Sequence, residues 1–185
     1  AKKKKIQCFS TPFSEEAVDF LEELECPFYK VASFEMTDLT LIKKIAQTKK
    51  KIIISTGMAN LKEIDKSFNY AKKYGAKEIA LLYCVSNYPA KNSDFNLNNI
   101  RLLKDRYKCT IGFSDHSNNF QLAAAAVAAG AEIFEKHIYL KNVKSLDYKF
   151  SLQGNEIKKY RDILNNTNLL MGKKYFFRTS SEKKN

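Results

Sequence analysis

The amino-acid sequence predicts an α/β fold in which short, buried strands alternate with amphipathic helices. Six apolar segments, rich in β-branched and aromatic residues, are separated by segments with helical spacing of apolar residues. Each predicted strand ends at a polar residue, and these ends recur at roughly regular intervals. Repeated strand–helix units require right-handed crossovers and therefore a parallel sheet. Because the sequence has no Gly-x-Gly-x-x-Gly turn, the pattern favours part of a (β/α)8 TIM barrel over a dinucleotide-binding fold.

The individual elements follow from local patterns. The strands are brief apolar runs, as expected for strands buried on both faces, at residues 6–10, 28–33, 51–56, 79–85, 110–114 and 132–137. The helices have apolar residues at intervals of three and four, at residues 15–25, 39–48, 61–74, 98–107, 120–129 and 155–171. About six βα units are therefore present.

Capping signals support the helix boundaries. Ser14 and Asn60 stand immediately before two helical segments, each with glutamate in the first turn, which is an N-cap pattern. Gly75 and Gly130 stand where two helices should end, since glycine readily adopts the left-handed conformation found there. A closed barrel needs about 250 residues. The 185 residues therefore predict a partial TIM-barrel domain over residues 1–171 and a linker over residues 172–185.

The formal net charge of +12 fits two classes of protein, a nucleic-acid binder or an enzyme of anionic substrates. The lysines are spread over every predicted helix, and no arginine-rich segment or aromatic–basic signature of an RNA-binding sheet is present. This distribution disfavours nucleic-acid binding.

The sequence also predicts a cytoplasmic protein that does not bind membranes. No apolar run approaches the roughly 20 residues of a membrane span, and the first residues lack the apolar stretch of a signal peptide. The four cysteines, at positions 8, 26, 84 and 109, show no Cys-x-x-Cys spacing. Three of them lie in or beside apolar strands, which indicates reduced thiols in the core.

The two histidines occupy equivalent places, each just past a short apolar strand, in the segments TIGFSDH and AEIFEKH. Two strands that deliver one imidazole each to the same rim can form an open metal site. Alternatively, one of the pair, His116 and His137, caps a turn and the other is solvated. Two protein ligands are too few for a structural zinc site. They suit Mn²⁺ or Mg²⁺ with water and substrate oxygens, and imidazole nitrogen favours Mn²⁺.

Hydroxyl groups and one lysine follow the other predicted strands. In a (β/α)8 barrel the active site lies at the C-terminal ends of the strands, so these groups would meet on one rim and could bind a phosphate or carboxylate. The polar residues at these ends are Ser10, Thr11, Lys30, Ser33, Ser55, Thr56, Ser86, Asn87 and Ser114.

Several charged residues near the rim have more than one interpretation. Lys30 lies within a strand, where it can pair with an anionic ligand, extend to the rim with no role, or form a Schiff base. Asp115 and Glu135 flank the histidines, either as acceptors that orient an imidazole or as caps of a helix or loop. Asp147 lies in the loop after the last strand, as a site residue or a solvated surface acid.

Six motifs together resemble the sialic acid synthase family of phosphoenolpyruvate-dependent nonulosonic acid synthases. The motifs are FSTPFSEEAVDFLEEL, PFYKVASFEMTD, KIIISTGM, CVSNYPA, IGFSDHS and FEKHIYL, in the family's order between Phe9 and Leu152. YKVASFEMTD, with KFSL after Asp147, is most similar to the pseudaminic acid synthase branch. The resemblance implies condensation of phosphoenolpyruvate with an open-chain N-acetylated aminosugar and water, giving a nine-carbon 2-keto sugar acid and phosphate.

The resemblance also implies roles for individual residues. His116 and His137 would bind a divalent metal that polarises the sugar aldehyde, while Glu135 and Asp147 would contact the sugar. Phosphoenolpyruvate would be held by residues at the strand ends, namely Thr11, Lys30, Ser33, Ser55, Ser86 and Ser114. Family members begin with two further βα units and end with a small antifreeze-like domain that exchanges between subunits of a homodimer. Nothing in these 185 residues corresponds to those parts.

Two alternative functions remain at this point. A barrel aldolase would form a Schiff base through Lys30 or Lys136. A truncated barrel without catalytic activity would instead bind an anion, a metal or a partner that supplies the missing strands.

Overall fold

The computed structural model describes residues 1–88, 90–143, 146–174 and 176–184. Its helices are α1 (Glu15–Glu23), α2 (Leu39–Gln47), α3 (Leu61–Lys73), α4 (Asn98–Tyr107), α5 (Phe120–Ala129) and α6 (Ile157–Met171). Its strands are β1 (Phe28–Val31), β2 (Lys51–Ser55), β3 (Ile79–Cys84), β4 (Thr110–Asp115), β5 (Ile133–Lys136), β6 (Ile138–Tyr139) and β7 (Leu152–Gln153). Short 3-10 turns complete the regular structure.

The first five strands form one parallel sheet in the order β1-β2-β3-β4-β5. Strand order therefore follows chain order, whereas the order reverses within a doubly wound sheet. Helices that are neighbours along the chain also pack on one another, α1 on α2, α2 on α3, α4 on α5 and α5 on α6. Right-handed crossovers then place all helices on one face of the curved sheet. The prediction of a partial (β/α)8 barrel is confirmed.

The two faces of the sheet have different compositions, because successive side chains on a strand point to opposite faces. The face toward the helices is apolar and forms the core, with Tyr29, Ile54, Leu81, Ile111 and Phe113 almost fully buried. The inner face, which corresponds to the interior of a barrel, carries most of the polar strand-end residues.

The predicted first strand, residues 6–10, is wrong. Only Ser10 pairs with the sheet, through a single bridge to Tyr29, and residues 5–9 have no regular structure. Ile6 is 66% exposed and Phe9 is 42% exposed, so this apolar run does not gain the burial that a central strand provides. The structure thus has five of the six predicted strands.

The capping signals are confirmed. The Ser14 hydroxyl accepts a hydrogen bond from the Ala17 N–H at 3.2 Å. Asn60 and Glu63 form a reciprocal capping box at the start of α3. Gly130 ends α5 with a φ of +106°, a left-handed conformation that favours glycine.

The segment after β5 returns to the sheet rim. Its two short strands, β6 and β7, pair in parallel, and the Leu152 N–H donates to the His137 carbonyl at 2.7 Å. This pairing brings Asp147 and Phe150 back beside the end of β5. No helix in the described part of the chain is long and apolar enough to cross a membrane.

Candidate active site

Lys30 lies on the inner face of β1 and is 5% exposed. Its ammonium group donates to the Ser55 hydroxyl at 2.6 Å and to the Val31 carbonyl at 3.0 Å, and forms an ion pair with Glu135 Oε2 at 3.6 Å. Burial lowers the pKa of Lys30, while the nearby Glu135 carboxylate opposes that shift. Since Ser55 accepts from Lys30, the Ser55 hydroxyl proton is available to a ligand.

Ser114 connects Glu135 to the first histidine. The Ser114 hydroxyl lies 2.6 Å from Glu135 Oε1 and 3.3 Å from His116 Nε2. A hydroxyl has one proton, and the shorter contact to a carboxylate directs it to Glu135. His116 Nε2 therefore keeps its lone pair in the neutral ring.

His116 is oriented by the main chain of the preceding strand–loop junction. Its Nδ1 lies 3.2 Å from the Val85 carbonyl oxygen, which only accepts, so Nδ1 carries the proton. Burial lowers the pKa of His116 and favours the neutral imidazole, although the Val85 hydrogen bond works in the other direction. A neutral ring with an uncommitted Nε2 is the form that binds metals. The predicted orientation of an imidazole by Asp115 or Glu135 is wrong for His116, whose acceptor is this carbonyl.

The second histidine lies beside the first. The ring centroids of His116 and His137 are 5.3 Å apart, and Asp147 Oδ2 lies 3.6 Å from His137 Nδ1. Phe150 contacts both imidazoles, with centroids 6.1 Å from His116 and 5.2 Å from His137. The Tyr88 ring packs at a tilt against His116 and Phe150, with centroid distances of 4.6 Å and 4.8 Å. The two histidines are thus neighbours in one aromatic-walled recess.

A second group of hydroxyls surrounds the loop after β2. The Gly57 N–H donates to the Ser33 hydroxyl at 3.1 Å, and Ser33 Oγ lies 3.3 Å from Cys84 Sγ. A Cβ placed on Gly57 would lie 2.1 Å from Ser86 Oγ, so only glycine leaves this space open. The Ser86 hydroxyl is buried and has no hydrogen-bond partner among the described residues. An unpaired buried donor in such a space is suited to a ligand oxygen.

Thr11 and Glu35 lie near Lys30 on the same rim. Thr11 directly follows the Ser10–Tyr29 bridge, which places it beside Lys30 in the register. Glu35 was not predicted from the sequence. One of its carboxylate oxygens is buried without a hydrogen-bond partner in the described structure. Burial lowers the pKa of Lys30, and the charge of Glu35, like that of Glu135, opposes this shift. Tyr88 and Phe150 were also missed, since their approach to the histidines depends on loop conformation.

Two charged residues near the histidines lie on the opposite face of the sheet. Asp115 accepts from the Tyr160 hydroxyl of α6 at 3.0 Å. Lys136 donates to the carbonyls of Asp115 and Phe150, at 3.0 Å each, and of Ser117. The suggestion that Lys136 forms a Schiff base is wrong on this geometry, because its amine is committed to the main chain on the helix side.

A cavity of about 520 Å³ lies at the other end of the sheet. It is lined by residues near the starts of the strands, among them Phe28, Lys51, Ala80, Thr110 and Ile133. Active sites of (β/α)8 barrels lie at the C-terminal ends of the strands, so the catalytic groups and this cavity are separate.

The donor set fits an open metal site better than a closed one. In the described chain no three or more His, Cys, Asp or Glu side chains are arranged to hold a metal ion. The two adjacent imidazoles, one with its Nε2 free and its Nδ1 anchored, can supply two ligands. Water and substrate oxygens would have to supply the others, which is the pattern of catalytic ions.

Comparison with known proteins identifies the family of the chain. The model of the NeuB family matches residues 1–175. The N,N'-diacetyllegionaminic acid synthase of Campylobacter jejuni is 44% identical over 100% of this chain and 56% of the relative. The pseudaminic acid synthase of the same organism is 39% identical over 90% of this chain and 49% of the relative. Relatives named for two different sugars match at similar identity, and the choice of sugar stays a prediction.

Solved structures show the same fold. The N-acetylneuraminic acid synthetase of Leptospira borgpetersenii superposes with a TM-score of 0.92 and 33% identity, covering 99% of this chain and 64% of that chain. The spore coat polysaccharide biosynthesis protein SpsE of Bacillus subtilis superposes with a TM-score of 0.87 and 30% identity, covering 98% and 55%. The chain spans about half the length of the curated relatives that it matches. With a family match over nearly its whole length, the chain belongs to the NeuB family of nonulosonic acid synthases.

Proposed function

We propose that this chain carries the substrate-binding rim of a synthase that condenses phosphoenolpyruvate with an open-chain N-acetylated aminosugar. The observation that supports this proposal is a continuous series of contacts along the rim. It runs from Lys30 to Glu135, on to Ser114 and His116, and then to His137. At one end of this series, the Lys30 ammonium group and the hydroxyls can bind an anion. At the other end, the two imidazoles can serve a carbonyl group. The two substrates would therefore lie side by side.

The anionic substrate would bind at the Lys30 end of the rim. Lys30 supplies the charge, and the hydroxyls of Ser55 and Ser86 have protons to donate. Ser33, Ser114 and Thr11 complete the same set. The 3.6 Å contact of Lys30 with Glu135 is loose, so a phosphate or carboxylate oxygen can replace Glu135 as the partner of Lys30.

The aldehyde of the sugar would bind at the histidine end. His116 and His137 would hold a divalent cation there. Imidazole nitrogen favours Mn²⁺, and Mg²⁺ is the alternative. When bound, the cation supplies Lewis-acid polarisation of the aldehyde oxygen. Tyr88 and Phe150 would cover the recess and exclude water from the reacting carbonyl.

The reaction needs one bond between the substrates and the loss of phosphate. Carbon 3 of phosphoenolpyruvate attacks the aldehyde carbon, and the aldehyde oxygen takes up a proton. Water adds to carbon 2 of phosphoenolpyruvate. The bond between carbon 2 and the phosphate oxygen then breaks, leaving a 2-keto acid and phosphate. Glu135, once released from Lys30, is placed to accept the proton that this water loses as it adds to carbon 2. Asp147 would orient the sugar beside His137.

The broader setting of the protein is proposed from the same family. We expect a cytoplasmic enzyme that works as a homodimer, with residues 172–185 leading toward a further C-terminal domain. The sugar is expected to be a diacetamido hexose of the pseudaminic or legionaminic type, in line with the names of the relatives.

The test is calorimetric titration of Mn²⁺ into the metal-free chain, with and without phosphoenolpyruvate. Binding is expected in the wild type and should be lost in the His116→Ala, His137→Ala double variant, since no other imidazole is present. Phosphate release from phosphoenolpyruvate is then measured with N-acetylated aminosugars. Equal metal binding by the wild type and the double variant would overturn the assignment of the histidines.

A trapping experiment separates the synthase from an aldolase. The chain is incubated with pyruvate and borohydride, and its mass is measured. A synthase that works without a covalent adduct should show no added mass, whereas a Schiff base at Lys30 would be trapped and would support the aldolase.

A further inference from the structure

A buried polar cluster lies on the helix side of the sheet, directly behind the two histidines. It consists of Asp115, Ser117, Lys136 and Tyr160. The side chains of Lys136 and Asp115 are 7% and 1% exposed. Nothing in the proposed reaction uses this cluster, yet burying two charges is costly unless their surroundings satisfy them.

Lys136 is bonded mainly to the main chain. Its ammonium group donates to the carbonyls of Asp115, Ser117 and Phe150, which belong to the end of β4, the following loop and the segment that returns after β6. The contact of its ammonium nitrogen with the Asp115 carboxylate is longer, at 3.6 Å. A simple ion pair would show the reverse preference. The contacts therefore tie three chain segments together at one point.

Asp115 holds the other side of the cluster. Its Oδ1 accepts from the Ser117 N–H and hydroxyl, both at 2.8 Å, and its Oδ2 accepts from the Tyr160 hydroxyl at 3.0 Å. These bonds fix the turn after β4 and connect it to α6. Both carboxylate oxygens are thereby occupied by groups that do not reach the histidines.

The cluster and the histidines are coupled through the alternation of the strands. Asp115 precedes His116 and Lys136 precedes His137, so each buried residue and its histidine point to opposite faces. The third segment held by Lys136 carries Phe150, whose ring contacts both imidazoles. Three of the four rings in the recess, those of His116, His137 and Phe150, therefore belong to residues that Lys136 bonds or that are next in sequence to Lys136 or a residue it bonds.

We propose that Lys136 and Asp115 are positioning residues that set the distance between His116 and His137 and seat Phe150 over them. This role rests on the proposed function in so far as the histidines bind a metal. The placement of the rings themselves is a property of the metal-free chain and can be measured separately.

The test uses the fact that the chain has two histidines, so its imidazole Cε1–H spectrum contains two resonances. Lys136→Met keeps the length of the side chain and removes the hydrogen bonds. In the metal-free protein we expect both resonances to shift or broaden as Phe150 loses its anchor. The Mn²⁺ dissociation constant should rise by about 10- to 100-fold, as is typical when groups that orient metal ligands are removed.

The matched control is Phe113→Leu, on the same face of β4. The Phe113 ring is buried against Tyr83 and Phe95, and its loss reduces stability without removing any hydrogen bond of the cluster. This variant should leave both histidine resonances at their wild-type positions. Its Mn²⁺ affinity should stay within twofold of wild type. If the histidine resonances and the Mn²⁺ affinity changed equally in both variants, the effect of Lys136→Met would come from a general loss of stability. That result would overturn the proposal.

Two further outcomes are distinguishable. If Lys136→Met fails to fold, the Asp115→Asn, Lys136→Met double variant removes both charges and leaves no unpaired ion; wild-type histidine resonances in that variant would also overturn the proposal. If the wild type binds no Mn²⁺, the metal role in the proposed function fails, while the resonances of the metal-free protein still decide whether Lys136 positions the rings.

Discussion

His116 is prepared for ligand binding by three neighbours that act on different atoms. The Val85 carbonyl fixes the proton on Nδ1, the Ser114 hydroxyl proton is directed away to Glu135, and Tyr88 covers the ring. None of these contacts uses Nε2 as an acceptor of a strong hydrogen bond. The imidazole is therefore held in one tautomer with a lone pair facing the recess, as metal-ligating histidines usually are.

Burial of His116 has a consequence for its titration. Because burial lowers its pKa, we expect the His116 resonance of the metal-free protein to titrate below the ordinary value of about 6.5. The unfolded chain then binds the proton more readily than the folded one. The contribution of this group to stability is thus complete above about pH 6.5 and is lost as the pH falls through the folded-state pKa. An NMR titration, with His137→Gln to assign the signals, would contradict this if the midpoint lay at or above 6.5.

Lys30 gives a prediction for the anionic substrate. Lys30→Met removes a charge-assisted hydrogen bond worth about 1.5–3 kcal/mol, so binding of phosphoenolpyruvate should weaken by roughly 10- to 100-fold. Lys51→Met is the control, because Lys51 lies at the opposite end of β2 and its side chain is 66% exposed. Calorimetric titration with phosphoenolpyruvate measures both variants. Equal affinities for Lys30→Met and wild type would remove Lys30 from the anion site.

Several site residues were predictable because they follow strands, and others were not. Lys30, Ser55, Ser114 and His137 stand at or next to strand ends, where barrel geometry alone brings them to one rim. Glu35 and other loop residues approach the rim only through loop conformations, which local sequence patterns do not specify.

At the scale of single elements, helices were easier to predict than the first strand. Five of six helices begin at the predicted residue, because apolar spacing is a local signal and four of these five helices also have a side-chain N-cap. Residues 6–10 have the composition of a strand, but a strand also needs hydrogen-bonding neighbours and burial on its faces. Successive side chains on a strand point to opposite faces. Because Ser114 and Glu135 lie on the inner face, the next residues, Asp115 and Lys136, could be predicted to lie on the helix side.

The contact between α3 and α4 provides a prediction at this scale. Asp65 on α3 accepts from Arg106 through both of its oxygens and from the Tyr107 hydroxyl at 2.8 Å. The hydrogen bonds from Arg106 and Tyr107 lower the pKa of Asp65. Asp65→Asn should reduce the free energy of unfolding at pH 7 by about 1 kcal/mol, a modest value because the pair is partly exposed.

The difference in the free energy of unfolding between wild type and Asp65→Asn should depend on pH, because the pKa of Asp65 is lowered in the folded protein. Its stabilising effect is complete above the unfolded-state pKa of about 3.9 and is lost as the pH falls through the folded-state value. Denaturant unfolding of wild type and Asp65→Asn between pH 7 and pH 2 should therefore converge at the acid end. The exposed Asp105→Asn on α4 is the control and should stay within about 0.5 kcal/mol of wild type. A constant difference at all pH values would contradict the assignment.

At the scale of the whole molecule, the five-stranded sheet has two edges. In the described structure β5 pairs only with β4, and β1 has β2 on one side and the single Ser10 bridge on the other. Closed barrels have no edges, whereas unpaired edges expose main-chain donors and acceptors to other chains. The edges are therefore the part of this fold most prone to association.

Self-association of the 185-residue chain is the corresponding prediction. Light scattering after size exclusion should give a mass above 21.3 kDa that increases with protein concentration. The half-buried apolar side chains of Phe28 and Ile53 on the inner face should contribute to this association. A single species of 21.3 kDa at all concentrations would show that the edges are protected in solution.

Because β5 lies at the edge of the sheet, ligand binding is expected to reduce its local unfolding. This strand and the residue after it carry Glu135 and His137, yet it is held by hydrogen bonds on one side only. Edge strands open by local unfolding more readily than central ones, and amide hydrogen exchange reports such opening. A ligand that binds only the closed form shifts this equilibrium by mass action. Slower exchange at the amides of β5, with β2 unchanged, would then register occupancy of the rim before any chemical turnover is measured.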